Sequence, residues 1–101
     1  NMILSANGQN IYPEEIEAVV NNQPYVIESV VVDRGAKLVA LVYMDADAIK
    51  NAGVDVELYK VELMSEVNKS MPAYSKVGLV EIMAETFEKT PKMSIKRFMY
   101  K

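Results

Sequence analysis

Two stretches of this chain carry residue types that could do chemistry. The first is the run Phe87-Glu88-Lys89-Thr90-Pro91-Lys92-Met93-Ser94-Ile95-Lys96-Arg97, which gathers four cations and two hydroxyls around one proline. Lysine is a mobile point charge and arginine a bidentate fork, so such a set suits a phosphate or a carboxylate. The run lacks the glycine spacing of a P-loop and is not an independent nucleotide cradle. A basic surface segment complementing a helix C-terminus would explain it nearly as well. The second stretch is Asn7-Gly8-Gln9. With no Cβ, Gly8 can take positive φ and lets a ligand or another domain approach the backbone; on local sequence alone it is also an ordinary hairpin turn. Immediately after it, Ile11-Tyr12-Pro13-Glu14-Glu15-Ile16-Glu17 sets up an abrupt helix start, with proline at the first helical position and acids in the first turns.

What the composition removes narrows the chemistry further. The chain has no histidine and no cysteine. Disulfides, thiolate metal sites and cysteine nucleophiles are excluded, as are the usual neutral-pH base and commonest metal ligand. No metal site is expected, and any chemistry must use lysine, carboxylates, hydroxyls or backbone groups. The 101 residues, half apolar and a quarter charged, fit one globular domain with a modest core. Apolar runs fall short of a membrane span and no signal-peptide pattern opens the chain, so a cytoplasmic location is the default expectation. The formal net charge is −3, but no cation precedes Arg34 and no acid follows Lys89. The chain opens at Asn1, inside a pattern, and reads as a piece of something longer.

Positioning these residues falls to a short list of elements. Met2–Leu4 and Gln9–Tyr12 suggest a small hairpin around Gly8. A helix follows from Pro13 to about Asn22, with Ile16, Val19 and Val20 as its apolar stripe. Tyr25–Asp33 and Lys37–Met44 read as strands joined at Arg34-Gly35-Ala36, with apolar residues on both phases, so both faces of the sheet should be partly covered. Asp45 caps a short helix through Ile49, broken at Gly53. Asp55 caps a longer one over about Val56 to Met71, burying Tyr59, Leu63, Met64, Val67 and Met71. Lys76–Ile82 is a third strand, and a last short helix is expected over Ser94–Tyr100. The seven methionines read as core gap-fillers. The fold class is α+β: a small, largely antiparallel three-stranded sheet with helices packed on it, plus a short N-terminal hairpin.

Taken together, Asn1-Met2-Ile3-Leu4, Gly8-Gln9-Asn10-Ile11-Tyr12-Pro13-Glu14-Glu15-Ile16-Glu17 and the closing Phe87–Tyr100 resemble, in order and separation, the C-terminal cap domain of AMP-forming long-chain fatty acyl-CoA synthetases. The resemblance covers essentially residues 1–101. It implies a lid that works with a large N-terminal adenylation domain not contained in this chain, and a family hinge lying just before Asn1. The implied reaction joins a fatty acid to ATP as an acyl-adenylate, releasing pyrophosphate; coenzyme A then displaces AMP. ATP, Mg²⁺, CoA and the acid are thus the implied small-molecule partners, none held by this domain alone, which by itself should be inactive. The family's glycine loop lines the pantetheine tunnel, a role that falls here on Asn7, Gly8 and Gln9. A closing-motif lysine reaches the acyl carboxylate and α-phosphate.

At that lysine the chain departs from the pattern. Aligned on Ile95-Lys96-Arg97, the family's glycine and lysine fall on Met93 and Ser94, and serine cannot supply the cation. In an extended loop, residues two apart point the same way, so Lys92 or Lys96 could substitute. Were Ser94 already helical, neither would share its face. Lys92 is preferred as lying on the loop side of Ser94; the alternative is slow or absent adenylation through this lysine, with thioester formation retained. The alternative function is a stand-alone α+β interaction or regulatory module whose basic end binds an acidic partner. A nucleic-acid binder is disfavoured by the acidic balance and by the lack of aromatics among the cations.

Overall fold

The computed structural model describes all residues 1–101. Its opening hairpin pairs β1 (Ile3–Leu4) antiparallel to β2 (Asn10–Ile11). Helix α1 (Pro13–Asn21) starts with Pro13 at its first position, where the missing N–H costs nothing. Strands β3 (Val26–Asp33) and β4 (Leu38–Met44) form the antiparallel centre of the sheet. Helix α2 (Ala46–Ala52) is capped by Asp45, whose carboxylate accepts from the Ala48 amide at 3.0 Å, and ends on left-handed Gly53. In α3 (Val56–Asn68), Asp55 accepts from the amides of Glu57 and Leu58. That helix stops three residues before the expected Met71. Asn68 turns its side chain onto β5 (Val77–Ile82), exchanging two hydrogen bonds of 2.8 and 2.9 Å with the Val77 backbone.

The expected α+β class, three-stranded sheet, packed helices and N-terminal hairpin are all present. The sheet is mixed: its order is β3-β4-β5, with β5 parallel to β4. Two helices separate these strands, and a crossover of that length is what a parallel pairing requires.

Both sheet faces are covered, as the two-phase apolar pattern of β3 and β4 demands. One face carries Val31, Leu38, Ala40 and Val42 against Ile16 and Val20 of α1 and Tyr59, Leu63 and Val67 of α3. The other carries Val30, Val32, Val39 and Leu41 under Phe87, with Ile95 and Tyr100 packed around them. No helix covers this second face; the chain's closing segment does. Four of the seven methionines (Met44, Met64, Met71 and Met83) pack against these clusters. Met2, Met93 and Met99 are exposed instead, so the core-filling expectation fails for them.

Candidate functional site

The last helix expected over Ser94–Tyr100 does not form. Lys89 and Ile95 make an antiparallel bridge, and only Arg97–Met99 turn as one 3-10 turn. The reason lies in what Ile95 and Tyr100 must cover. Five residues along an α-helix they would point roughly 140° apart, yet both pack against the same sheet face. Tyr100 meets Phe87 edge to face, with ring centroids 4.9 Å apart, and its hydroxyl accepts from the Glu88 amide at 2.7 Å. The segment is therefore a hairpin laid on the sheet, and its tip is Pro91-Lys92-Met93.

That tip repeats the geometry of the Gly8 loop bond for bond. In the first loop the Ser5 amide donates to Gln9 O (2.9 Å), the Gly8 amide to Ser5 O (3.0 Å) and the Gln9 amide to Ser5 Oγ (3.0 Å). In the second, the Thr90 amide donates to Ser94 O (2.8 Å), the Met93 amide to Thr90 O (2.9 Å) and the Ser94 amide to Thr90 Oγ1 (3.2 Å). Each is a three-residue hairpin loop in which a turn runs into one left-handed residue. Gly8 takes that position at φ 79° and Met93 at φ 65°. A Cβ built on Gly8 would meet nothing within 4 Å, so inside the domain the glycine answers only to backbone conformation.

The four cations of the closing run divide into two pairs. Lys89 donates to Glu28 Oε1 at 3.0 Å and to Phe87 O at 3.1 Å, and Glu28 also accepts from the Phe87 amide. Arg97 donates to Glu17, a buried carboxylate whose other oxygen accepts from the Val31 amide at 2.7 Å. Arg97 also lies 3.9 Å from Glu14. Burial pulls the Glu14 carboxyl upward, but hydrogen bonds from Asn1 and its own amide, with the Arg97 charge, outweigh this and hold it below the ordinary carboxylate value. Lys92 and Lys96, by contrast, enter no ion pair. Lys92 and Ser94 are exposed and Lys96 is half-buried.

Ser94 lies in the returning arm of the hairpin, not in a helix, so the extended-loop branch of the sequence argument applies. Ile95 packs inward, which turns Ser94 and Lys96 to the opposite side by strand alternation. Lys92 sits across left-handed Met93, at the tip. Asn7, Gly8 and Gln9 are all exposed at the end of the first hairpin. Sequence reasoning missed Glu17 and Glu28, the acids that fix two of the cations. The available signal was a carboxylate set within an apolar stripe in each case: Glu17 beside Ile16, and Glu28 inside a β-branched strand.

The grooves beside these loops are open. One of about 280 Å³ is lined by Ser5, Lys37, Tyr74 and Lys76, and one of about 260 Å³ by Tyr12, Glu15, Ser70 and Tyr74. Neither encloses a ligand with converging polar groups, as a self-contained small-molecule site would. No helix is long and apolar enough to cross a membrane.

Comparison with known proteins gives this arrangement a context. The family model described as "AMP-binding enzyme C-terminal domain" matches residues 1–100. Among solved structures, a fatty acyl CoA synthetase of Mycobacterium tuberculosis superposes with TM-score 0.73 at 25% identity, over 97% of this chain and 18% of its own. An acyl-CoA synthetase of Brucella canis gives TM-score 0.77 at 26% identity, covering 98% and 18%. The anthranilate CoA ligase AuaEII, solved with anthranoyl-AMP, gives 0.79 at 22% identity, covering 97% and 18%; at that identity the likeness is one of fold. This chain thus spans less than a fifth of each of these proteins. No curated protein sequence matches it.

Proposed function

The chain belongs to the AMP-binding enzyme C-terminal domain family, as the C-terminal domain of the adenylate-forming acyl- and aryl-CoA ligase superfamily, and on that premise we propose that it is the mobile lid of a long-chain fatty acid–CoA ligase. The observation that carries this reading is the family match over residues 1–100, on a surface that presents two matched loops. The lid acts with an N-terminal adenylation domain that binds the acid and Mg²⁺–ATP. The fatty acyl class rests on the resemblance of the opening and closing motifs. The fatty acyl CoA synthetase among the matched structures supports it.

Within this reading the closing hairpin serves adenylation. Attack of the acyl carboxylate on the α-phosphorus builds negative charge on the phosphoryl oxygens. An ammonium held close by, in a site that excludes water, stabilises that charge most at the transition state. Ser94 stands at the family's lysine position and cannot do this; Lys92 or Lys96 supplies the cation. Both are free of internal ion pairs, Lys92 at the tip and Lys96 on the side that Ser94 faces. The Gly8 loop serves the second half-reaction, its bare backbone at Asn7, Gly8 and Gln9 bordering the path along which the CoA thiol reaches the acyl-adenylate.

The experiment follows each half-reaction separately in the protein encoded with its upstream sequence. With palmitate, ATP–pyrophosphate exchange reports adenylation, and thioester formation from palmitoyl-adenylate reports the second step. Benzoate in place of palmitate tests the aryl alternative. Gly8→Leu should slow thioester formation more than adenylation, and equal loss in both refutes the loop's assignment. Lys92→Ala and Lys96→Ala are compared in single-turnover adenylation; if neither slows it, neither lysine replaces the missing one. A start codon immediately before Asn1, with nothing upstream for the lid to close over, would instead favour a stand-alone interaction module with a basic C-terminal end.

A further inference from the structure

We propose that Arg97 and Glu17 are positioning residues for adenylation: a latch that fixes the closing hairpin so that its unpaired lysines are presented at a set place. The inference rests on the lid reading above and adds to it a division of labour among the cations of the closing run.

Three observations carry it. First, each arm of the hairpin is tied to a carboxylate on a different element. The outgoing arm is held at Lys89 and Phe87 by Glu28 of β3, and the returning arm at Arg97 by Glu17 of α1. Lys92 and Lys96 lie between the two ties and have none. Second, Glu17 is a buried carboxylate with both oxygens engaged, one by the Val31 amide on the free edge of β3 and one by Arg97. An ionised carboxyl taken out of water stays only where partners replace its hydration, so the two groups specify each other's place. The guanidinium reaches across 80 residues of sequence to do so. Third, α1 begins directly after the hairpin that carries Gly8, so Glu17 joins the closing hairpin to the element that leads out of the glycine loop. Arg97 is thereby committed inside the domain and is not a phosphate ligand, although by charge alone it is the strongest candidate in the run.

The test uses the full-length protein with palmitate and ATP. Glu17→Gln is the informative variant: the amide oxygen can still accept from the Val31 N–H, so α1 stays on the β3 edge while the charge facing Arg97 is lost. Arg97→Met removes the other side, and the pair Glu17→Gln/Arg97→Met leaves no buried charge unpaired. Each single variant should slow single-turnover adenylation about 100-fold, the scale of a misplaced catalytic group, while thioester formation from palmitoyl-adenylate stays within about threefold and the double variant is no slower than the worse single. Hydrogen exchange should rise at residues 89–96 in all three variants and stay unchanged in α3.

Equal loss of both half-reactions together with the melting temperature makes the pair ordinary support for the fold, and overturns the proposal. So does unaltered adenylation, or additive loss in the double variant. A wild-type protein that adenylates no acid sinks the lid reading and the positioning role with it. Exchange at residues 89–96 then still reports whether the latch holds the hairpin, which separates the two failures.

Discussion

Replacing Met93 with glycine should stabilise this domain, against the usual effect of introducing glycine. Met93 sits at φ 65°, where an L-residue pays roughly 1–2 kcal/mol for the approach of its Cβ to the following carbonyl. Glycine pays nothing there but gives up about 0.5–1 kcal/mol through the greater freedom of its unfolded chain. Little burial is at stake, because the Met93 side chain is 73% exposed. The difference leaves Met93→Gly about 0–1.5 kcal/mol more stable than the wild type, with the centre of the range at about 0.75 kcal/mol. For a domain of this size the central value is a rise of about 3–6 °C in Tm.

Urea unfolding of residues 1–101, followed by circular dichroism, measures it directly, and two controls isolate the cause. Met93→Ala carries the same backbone strain and should lie within about 0.5 kcal/mol of wild type. Met93→Val adds branching at Cβ and should be less stable than either. The order Gly above Met and Ala, with Val lowest, is the signature of a left-handed residue. A destabilising glycine would mean that residue 93 is not left-handed in solution. The likeness between the two loops would then fall with it.

Other perturbations test the packing and the charge network. Phe87→Ala removes a ring that is 2% exposed and anchors the closing segment to the sheet; it should cost about 3–5 kcal/mol in urea unfolding. Tyr59→Phe deletes the hydroxyl that donates to Pro24 O and should cost about 0.5–1.5 kcal/mol, the net worth of one hydrogen bond, since Pro24 is exposed and water can replace the donor. Glu14 has a folded-state value lowered from 4.5, so its contribution is complete above that value and is lost as pH falls through the folded one. The stability difference between wild type and Glu14→Gln should therefore be flat at neutral pH and shrink only below about pH 4.5. A difference that does not change at all on acidification would show that it does not come from the ionised Glu14 carboxylate.

Much of the fold was legible because its signals are local. Asp45 and Asp55 announce their helices through side chains that reach the first-turn amides. Gly53 announces an end through its positive φ. The two-phase apolar pattern of β3 and β4 foretold a sheet covered twice. What it could not name was the cover: Phe87, Ile95 and Tyr100 come from a segment whose cations and hydroxyls look like surface. The last helix was misread for the same reason. Local propensity permits a helix over Ser94–Tyr100, but Ile95 and Tyr100 must reach one sheet face, and that tertiary demand is invisible within the seven residues. The parallel pairing of β5 was equally non-local. Strand pattern gives a strand's faces, whereas its direction beside β4 follows from the α2–α3 crossover.

The loops and their cations mark the same boundary from the side of function. Gly8 was conspicuous because glycine advertises a left-handed position, while Met93 occupies the matching position without advertising it. The hydroxyl that opens each loop, Ser5 or Thr90, was the sequence trace of their common geometry, since each accepts the amide that follows the left-handed residue. Charge is harder to read, because what a cation can do depends on the acid facing it. Glu28 lies 61 residues before Lys89, and Glu17 lies 80 before Arg97. Both acids stand among apolar neighbours, where an ionised group needs a partner. That need was visible in the sequence even though the partner's identity was not. Each such acid consumes one cation of the closing run, which leaves Lys92 and Lys96 as the pair able to meet a charge from outside.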